Sequence, residues 1–193
     1  MEFEDFIKRI VTSLNRSNLK YVIVGGFAAI FRGKPRTTMD LDLIVEDNHQ
    51  KLHKFLNELK KVDFDVFDEQ IQIAIKERTH ISIFDKKSIL RIDLKIAKNL
   101  DEFEVLSQGK SESYKGMKLL IAPVEQILYG KILYIGNISD IPDSELLEIN
   151  DVLDFINVYR RSKNINLDWL RSKIKEKGLI KTLQNILKLS ENL

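Results

Sequence analysis

The chain has 193 residues, with 31 Lys and Arg against 29 Asp and Glu, 3 His, no Cys and a formal net charge of +2. With 44% apolar and 31% charged residues it reads as globular, long enough to bury roughly 70% of its unfolded surface. The lack of Cys excludes disulfides, thiolate metal sites and cysteine nucleophiles, while the acidic start MEFEDFIKRI and the short uncharged run Tyr21 to Phe31 lead us to expect a cytoplasmic protein with no membrane partner.

Phe3, Phe6, Ile7, Ile10, Val11 and Leu14 recur at helical spacing and predict a first amphipathic helix from Glu4 to Asn15. Tyr21 to Val24 reads as a buried strand ending at Gly25-Gly26. Phe27 to Phe31 starts a helix that Gly33-Lys34-Pro35 breaks. Leu41, Leu43 and Val45 alternate with Asp40, Asp42 and Ile44, a strand with one acidic edge. Asp47 or Asn48 caps a helix with the stripe Leu52, Phe55, Leu56 and Leu59. Val62 to Ile75 fits strand and helix alike. Ile81 and Ile83, then Leu90, Ile92, Leu94 and Ile96, alternate on either side of Asp85-Lys86-Lys87, which reads as a hairpin.

After Ala97 the pattern changes. Lys115-Gly116 marks a tight turn between two short strands, and Pro123 opens a helical remainder. Its predicted helices are Val124 to Tyr134, Asp143 to Arg161, Leu167 to Lys175 and Leu179 to Leu189. Strand–helix–strand followed by an antiparallel hairpin argues for an α+β fold: a mixed β-sheet flanked by helices, then a C-terminal helical region. The expected division is a core over 1–121 and a helical part over 122–193.

Three features of the sequence converge on one chemistry. Gly25-Gly26 leaves bare backbone N–H groups at a helix N-terminus, which suits an anion. Asp40 and Asp42 are two apart on a strand, so their carboxylates share one face with Cα atoms about 7 Å apart. Asp93 lies on the polar face of a later alternating strand. Three such carboxylates repel one another unless a cation lies among them. An oxygen set without His or Cys selects Mg²⁺ or Mn²⁺ and suits phosphoryl chemistry.

Val24-Gly25-Gly26, then Arg36-Thr37-Thr38-Met39-Asp40-Leu41-Asp42-Leu43, then Asp93, resembles the nucleotidyltransferase superfamily of DNA polymerase beta type. The Gly-Gly form with Arg-x-Thr-x-Asp-Leu-Asp is closer to its AbiEii-type branch, which contains toxins of toxin–antitoxin pairs. Pro123-Val124-Glu125-Gln126 with Lys131 resembles that branch's Pro-x-Glu-x-Leu…Lys helix, and Asp151-Val152-Leu153-Asp154 its Asp-x-x-Asp helix. Asn150-Asp151 stands where the branch usually has Lys-Asp.

The resemblance implies a magnesium-dependent transferase that binds an NTP, moves its NMP to an acceptor hydroxyl and releases pyrophosphate. In it Gly25 and Gly26 would hold the triphosphate by backbone N–H groups. Asp40, Asp42 and Asp93 would be catalytic metal ligands, with Asp93 helping to deprotonate the acceptor. Lys131 would reach the β/γ-phosphates, Asp151 would orient Lys131, and Arg36 and Thr38 would anchor the loop before the acidic strand and contact nucleotide. A toxin-like member would take a tRNA 3′ end or a protein side chain as acceptor and have an antitoxin partner. The alternatives are a non-catalytic nucleotide- or partner-binding module of the same fold, and an aminoglycoside-type antibiotic nucleotidyltransferase using the acids between Asp140 and Asp154.

Blander readings stand beside these. Singly, a Gly-Gly turn serves the turn, Asp-x-Asp is a solvated edge, and Asp93 joins Arg91 and Lys95 in a surface charge ladder. Their order and spacing together favour the site. His49 and His53 lack a third ligand and read as surface helix. Between Arg160 and Lys188 nine basic residues face only Asp168 and Glu176, a basic face for an RNA backbone or a solvated helix surface.

Overall fold

The computed structural model describes residues 2–77 and 79–192 and divides the chain into two compact units, Met1–Val24 with Thr38–Ala122, and Gly25–Thr37 with Pro123–Leu193. Among the described residues the first unit holds β1 (Tyr21–Ile23), β2 (Asp40–Val45), β3 (Phe64–Asp65), β4 (His80–Asp85), β5 (Arg91–Ile96), β6 (Lys110–Tyr114) and β7 (Met117–Ile121). These form one mixed sheet in the order β3-β4-β5-β2-β1-β7-β6. β2 is its middle strand, antiparallel to β1 and parallel to β5.

Alternation explains the sheet. Leu41 and Leu43 of β2 and Ile92 and Leu94 of β5 are buried, while Asp40, Asp42, Arg91 and Asp93 point to the other face, half-buried. The predicted hairpin forms between β4 and β5. Tyr114 pairs with Met117, and the two residues between them, Lys115 at φ +49° and Gly116 at φ +79°, make the two-residue turn that suits the strands' twist.

Helix α1 (Glu2–Ser17) buries Phe6, Ile7, Ile10, Val11 and Leu14 of its predicted stripe, leaves Phe3 half-buried, and packs on α3 (His49–Lys60) and β7. Asn48 caps α3 by accepting from the Lys51 N–H at 3.1 Å, and Leu52, Phe55, Leu56 and Leu59 are all buried. Each such side chain contributes about 1.5–3 kcal/mol over leaving it exposed. The ambiguous Val62 to Ile75 stretch resolves into the two-residue β3 and α4 (Asp68–Glu77), which packs on β4. A further helix, α5 (Leu100–Gln108), packs on β1 and β2. Its signal is Asn99-Leu100-Asp101-Glu102, a capping box in which side chains and backbone N–H groups pair reciprocally.

Arg9 of α1 ties this unit together from within. It donates to both carboxylate oxygens of Asp85 at 2.7 and 2.8 Å and to the Val62 carbonyl at 2.9 Å, with its guanidinium over the Phe64 ring. Burial alone would raise the Asp85 pKa. Hydrogen bonds from Arg9, Ser88 and the Lys87 N–H outweigh it and hold the carboxyl below its ordinary value.

The second unit is helical. It holds α2 (Gly25–Arg32), α6 (Val124–Ile135), α7 (Asp143–Leu146), α8 (Asn150–Arg161), α9 (Leu167–Glu176) and α10 (Ile180–Glu191). The helix expected from Asp143 to Arg161 is in fact two, parted at Leu147–Ile149, where Leu146 is buried as the end of a single turn. α6 and α8 pack together, α2 lies against both, α9 packs on α6, and α10 packs on α8 and α9. Val152, Phe155, Leu128, Ile132, Leu170 and Leu183 fill the interior. Gly33 follows α2 where a Cβ would meet the Ala29 carbonyl at 2.9 Å and Val158 at 3.2 Å, so only glycine fits without displacement.

Candidate functional site

The acidic strand residues form one polar cluster in the first unit. In the β2/β5 register Asp40 stands opposite Arg91 and Asp42 opposite Asp93; in the β4/β5 register Ser82 stands opposite Asp93. Adjacent strands lie about 4.8 Å apart, so these side chains are lateral neighbours on one face. Thr38 Oγ1 donates to Asp40 Oδ1 at 2.7 Å, and Ser82 Oγ donates to Asp93 Oδ1 at 2.6 Å. Each hydroxyl engages one carboxylate oxygen.

Arg91 bonds to the second oxygens. Its Nε donates to Asp93 Oδ2 at 3.0 Å and its Nη2 to Asp40 Oδ2 at 3.2 Å. Hydrogen bonding and charge from Asp93, reinforced by the charges of Asp40 and Asp42, raise its pKa against a smaller desolvation effect. The cation expected among the carboxylates is therefore present in the chain itself. Neither Arg91 nor Ser82 was singled out for the site from the sequence, where Arg91 figured only in the charge-ladder reading; both face the cluster because of strand register.

Whether a divalent ion fits here can be judged from the donors. Asp40, Asp42 and Asp93 offer oxygen alone, half-exposed, on one face, which is the chemistry of a Mg²⁺ or Mn²⁺ site. As arranged, Asp40 and Asp93 converge on the guanidinium rather than on one another. Among the described residues no group of three or more His, Cys, Asp or Glu side chains is gathered so as to hold a metal. The donor chemistry fits a hard cation, while in this arrangement the Arg91 guanidinium bridges Asp40 and Asp93.

The second unit holds a different polar cluster. Lys131 on α6 is only 6% exposed, and its Nζ donates to Asp151 Oδ1 at 2.6 Å and Asp154 Oδ2 at 2.7 Å. Asp151 and Asp154 are three apart on α8 and so share a face. Arg36 grips Asp154 with two bonds, Nε to Oδ1 at 2.9 Å and Nη2 to Oδ2 at 2.7 Å, and donates from Nη1 to the Thr37 carbonyl at 2.9 Å. Burial would push the Asp154 pKa up, but the hydrogen bonds and charges of Arg36 and Lys131 hold it below the ordinary carboxylate value. Arg161 adds a bond from Nη1 to the Gly33 carbonyl at 2.7 Å.

The nine candidate residues thus fall into separate settings. Asp40, Asp42, Asp93 and Thr38 belong to the sheet cluster, and Arg36, Lys131 and Asp151 to the helical one. Gly25 and Gly26 open α2, with Gly25 at φ +63°, a conformation glycine adopts without strain. The first turn of α2 carries no acidic side chain. Asp154, expected only as part of the Asp-x-x-Asp helix and of the acidic stretch from Asp140, joins Lys131 to Arg36. Its only signal was the Asp-x-x-Asp spacing. Of the acids considered for an aminoglycoside pocket, Asp154 is occupied by two cations, while Asp140, Asp143, Glu145 and Glu148 are exposed.

No protein-family profile matches the sequence, and no curated protein matches it significantly. Solved structures do. ANT(2'')-Ia in complex with adenylyl-2''-tobramycin shares 14% identity over 92% of this chain and 99% of its own, with a TM-score of 0.60. The solution structure of the antibiotic-resistance factor ANT(2'')-Ia shares 15% identity, covering 93% of each chain, with a TM-score of 0.55. An antigenic nucleotidyltransferase-like protein from Paracoccidioides brasiliensis shares 17% over 94% of this chain and 88% of its own, also with a TM-score of 0.55. At these identities the likeness concerns the fold: the chain has an α+β fold of nucleotidyltransferase type.

Proposed function

We propose that the protein is a metal-dependent nucleotidyltransferase that moves an NMP from an NTP to a hydroxyl acceptor. The observation that carries this reading is the set Asp40, Asp42 and Asp93 on one face of two paired parallel strands, within a nucleotidyltransferase-type fold. A divalent ion bound by these three carboxylates would supply charge stabilisation for the transferred phosphate and the leaving pyrophosphate. The acceptor oxygen forms a bond to the α-phosphorus, the bond from that phosphorus to pyrophosphate breaks, and the acceptor proton passes to Asp93. Ser82, donating to Asp93 Oδ1, holds this carboxylate in orientation.

Positioning and charge dominate such a reaction. The resemblance assigns the triphosphate to the Gly25-Gly26 turn, which opens α2 at its positive end. The resemblance alone assigns the β/γ-phosphates to Lys131, whose ammonium stays fixed by Asp151 and Asp154 while Arg36 fixes Asp154 in turn. Thr38 orients Asp40. The acceptor is a tRNA 3′ end or a protein side chain, as in the AbiEii-type toxins the motifs resemble. The exposed Arg171, Lys175, Lys177 and Lys181 favour an RNA, and a toxin of this kind would have an antitoxin partner. An aminoglycoside, as in the ANT(2'')-Ia complex, is the competing acceptor.

One observation favours a second reading. Arg91 neutralises Asp40 and Asp93 without a metal, as a non-catalytic nucleotide- or partner-binding module would need. Incubation with α-labelled NTPs, Mg²⁺ and, separately, total tRNA, lysate protein or tobramycin separates the two. We expect label on tRNA or protein, and its loss in Asp42→Asn with the fold retained. Wild-type incorporation by Asp42→Asn overturns the site. A thermal shift with Mg²⁺-NTP but no labelled product from any acceptor favours the module.

A further inference from the structure

We infer that Arg91 works in two positions: counter-ion of Asp40 and Asp93 in the free protein, and ligand of the triphosphate once a divalent ion takes those carboxylates. The inference rests on the proposed metal site and adds a nucleotide-binding residue to it.

Two hydrogen bonds of the guanidinium, at 3.0 and 3.2 Å, end on the oxygens left over by Ser82 and Thr38. Those oxygens are the ones a hard cation would need. Each of these oxygens has a second lone pair, but a divalent ion and a guanidinium on the same oxygen repel one another, so metal and arginine compete for the site. The exchange is feasible because the Arg91 side chain is 40% exposed, so leaving the carboxylates does not strand a charge in the interior. Contrast Arg9, 11% exposed on an Asp85 that is 1% exposed, which has nowhere else to go.

Displacement leaves a guanidinium tethered to β5 beside a cation and its bound polyphosphate. A planar fork of donors matches phosphate oxygens, and the negative charge remaining on a metal-bound triphosphate gives the displaced group its next partner. The register supports this placement: Arg91 lies directly across from Asp40 and two residues before Asp93, so its side chain springs from the acidic face. A structural charge ladder would instead keep Arg91 on its carboxylates whatever is bound.

The test uses the 193-residue chain, with Mn²⁺ and inorganic tripolyphosphate as probes. Mn²⁺ binding is followed by the loss of the free-ion electron spin resonance signal. Arg91→Met should bind Mn²⁺ about tenfold more tightly than wild type, because the internal competitor is gone. Mn²⁺-saturated Arg91→Met should bind tripolyphosphate about tenfold more weakly. Arg91→Lys, which keeps a charge without the fork, should fall between. Lys54→Met, an exposed site with the same change in net charge, should shift neither constant. Equal Mn²⁺ affinity in wild type and Arg91→Met, or both constants weakened together, overturns the two-position role while leaving the metal site intact. Failure of both proteins to bind Mn²⁺ removes the metal site and this inference with it.

Discussion

The two polar clusters use the same ingredients, aspartates with arginine or lysine, in opposite ways. The sheet cluster is half-exposed: Asp40 is 31% and Arg91 40% accessible, and each carboxylate is split between a hydroxyl and the guanidinium. The helical cluster is closed over Asp154 at 5% and Lys131 at 6%, with two cations converging on one carboxylate. Removing a partner from the first exposes a charge to water. Removing one from the second strands a charge in low dielectric, where the uncompensated ion costs several times more. Exposure therefore separates ion pairs that can exchange from those that hold a structure in place.

The strongest challenge to this contrast is Asp154→Ala. It leaves Lys131 with Asp151 alone and Arg36 without its two-bond partner, and should lower unfolding stability by about 3–5 kcal/mol in urea titrations. A loss below about 1 kcal/mol would place the helical cluster in the exchangeable class.

Acid provides a second challenge. Asp154 and Asp85 both have folded pKa values held below their ordinary value of 3.8. The unfolded chain therefore binds protons first. The stability these groups contribute is complete above the unfolded pKa and is lost as pH falls through the folded one. Thermal melts from pH 7 downward should stay flat until about pH 5 and then drop, with Glu102, also held below its ordinary value, contributing to the onset. In Asp154→Asn the drop should be shallower. An equal slope in the variant would show that Asp154 carries none of it.

The smallest effect expected is on the other side of the comparison. Arg91→Met should change stability by less than about 1 kcal/mol, because an exposed pair gains little from its contact. A loss comparable to that of Asp154→Ala would mean that Arg91 is a fixed strut, and the comparison would fail.

Much of this architecture was legible from periodicity. The alternation of Leu41, Leu43 and Val45, and of Leu90 to Ile96, marked two buried-face strands, and the stripe from Leu52 to Leu59 with Asn48 marked α3. α5 left no such stripe. Leu100 and Phe103 are exposed and Val105 is its buried apolar residue, so its trace was the capping box alone. The break between α7 and α8 was hidden because Leu146, Leu147 and Ile149 continue an apolar run with no Gly or Pro to interrupt it. The candidate aspartates could be picked out because two alternate within one strand. Their partners could not: Arg36 lies 118 positions from Asp154, and Arg91 lies 51 from Asp40. Ion pairing across such distances has no period, and it emerges only once strands and helices are in register.

The middle place of β2 in the sheet has a consequence for motion. Bonded to β1 on one side and β5 on the other, its amides should be among the last to exchange with deuterated solvent, opening only with the global unfolding of the first unit. The two acids are not mounted alike: Asp42 lies where the Val24 N–H bonds its carbonyl on one side and β5 pairs on the other, whereas Asp40, at the start of β2 and beyond the reach of the β1 pairing, is paired with Arg91 of β5. The strand should therefore open from its Asp40 end first.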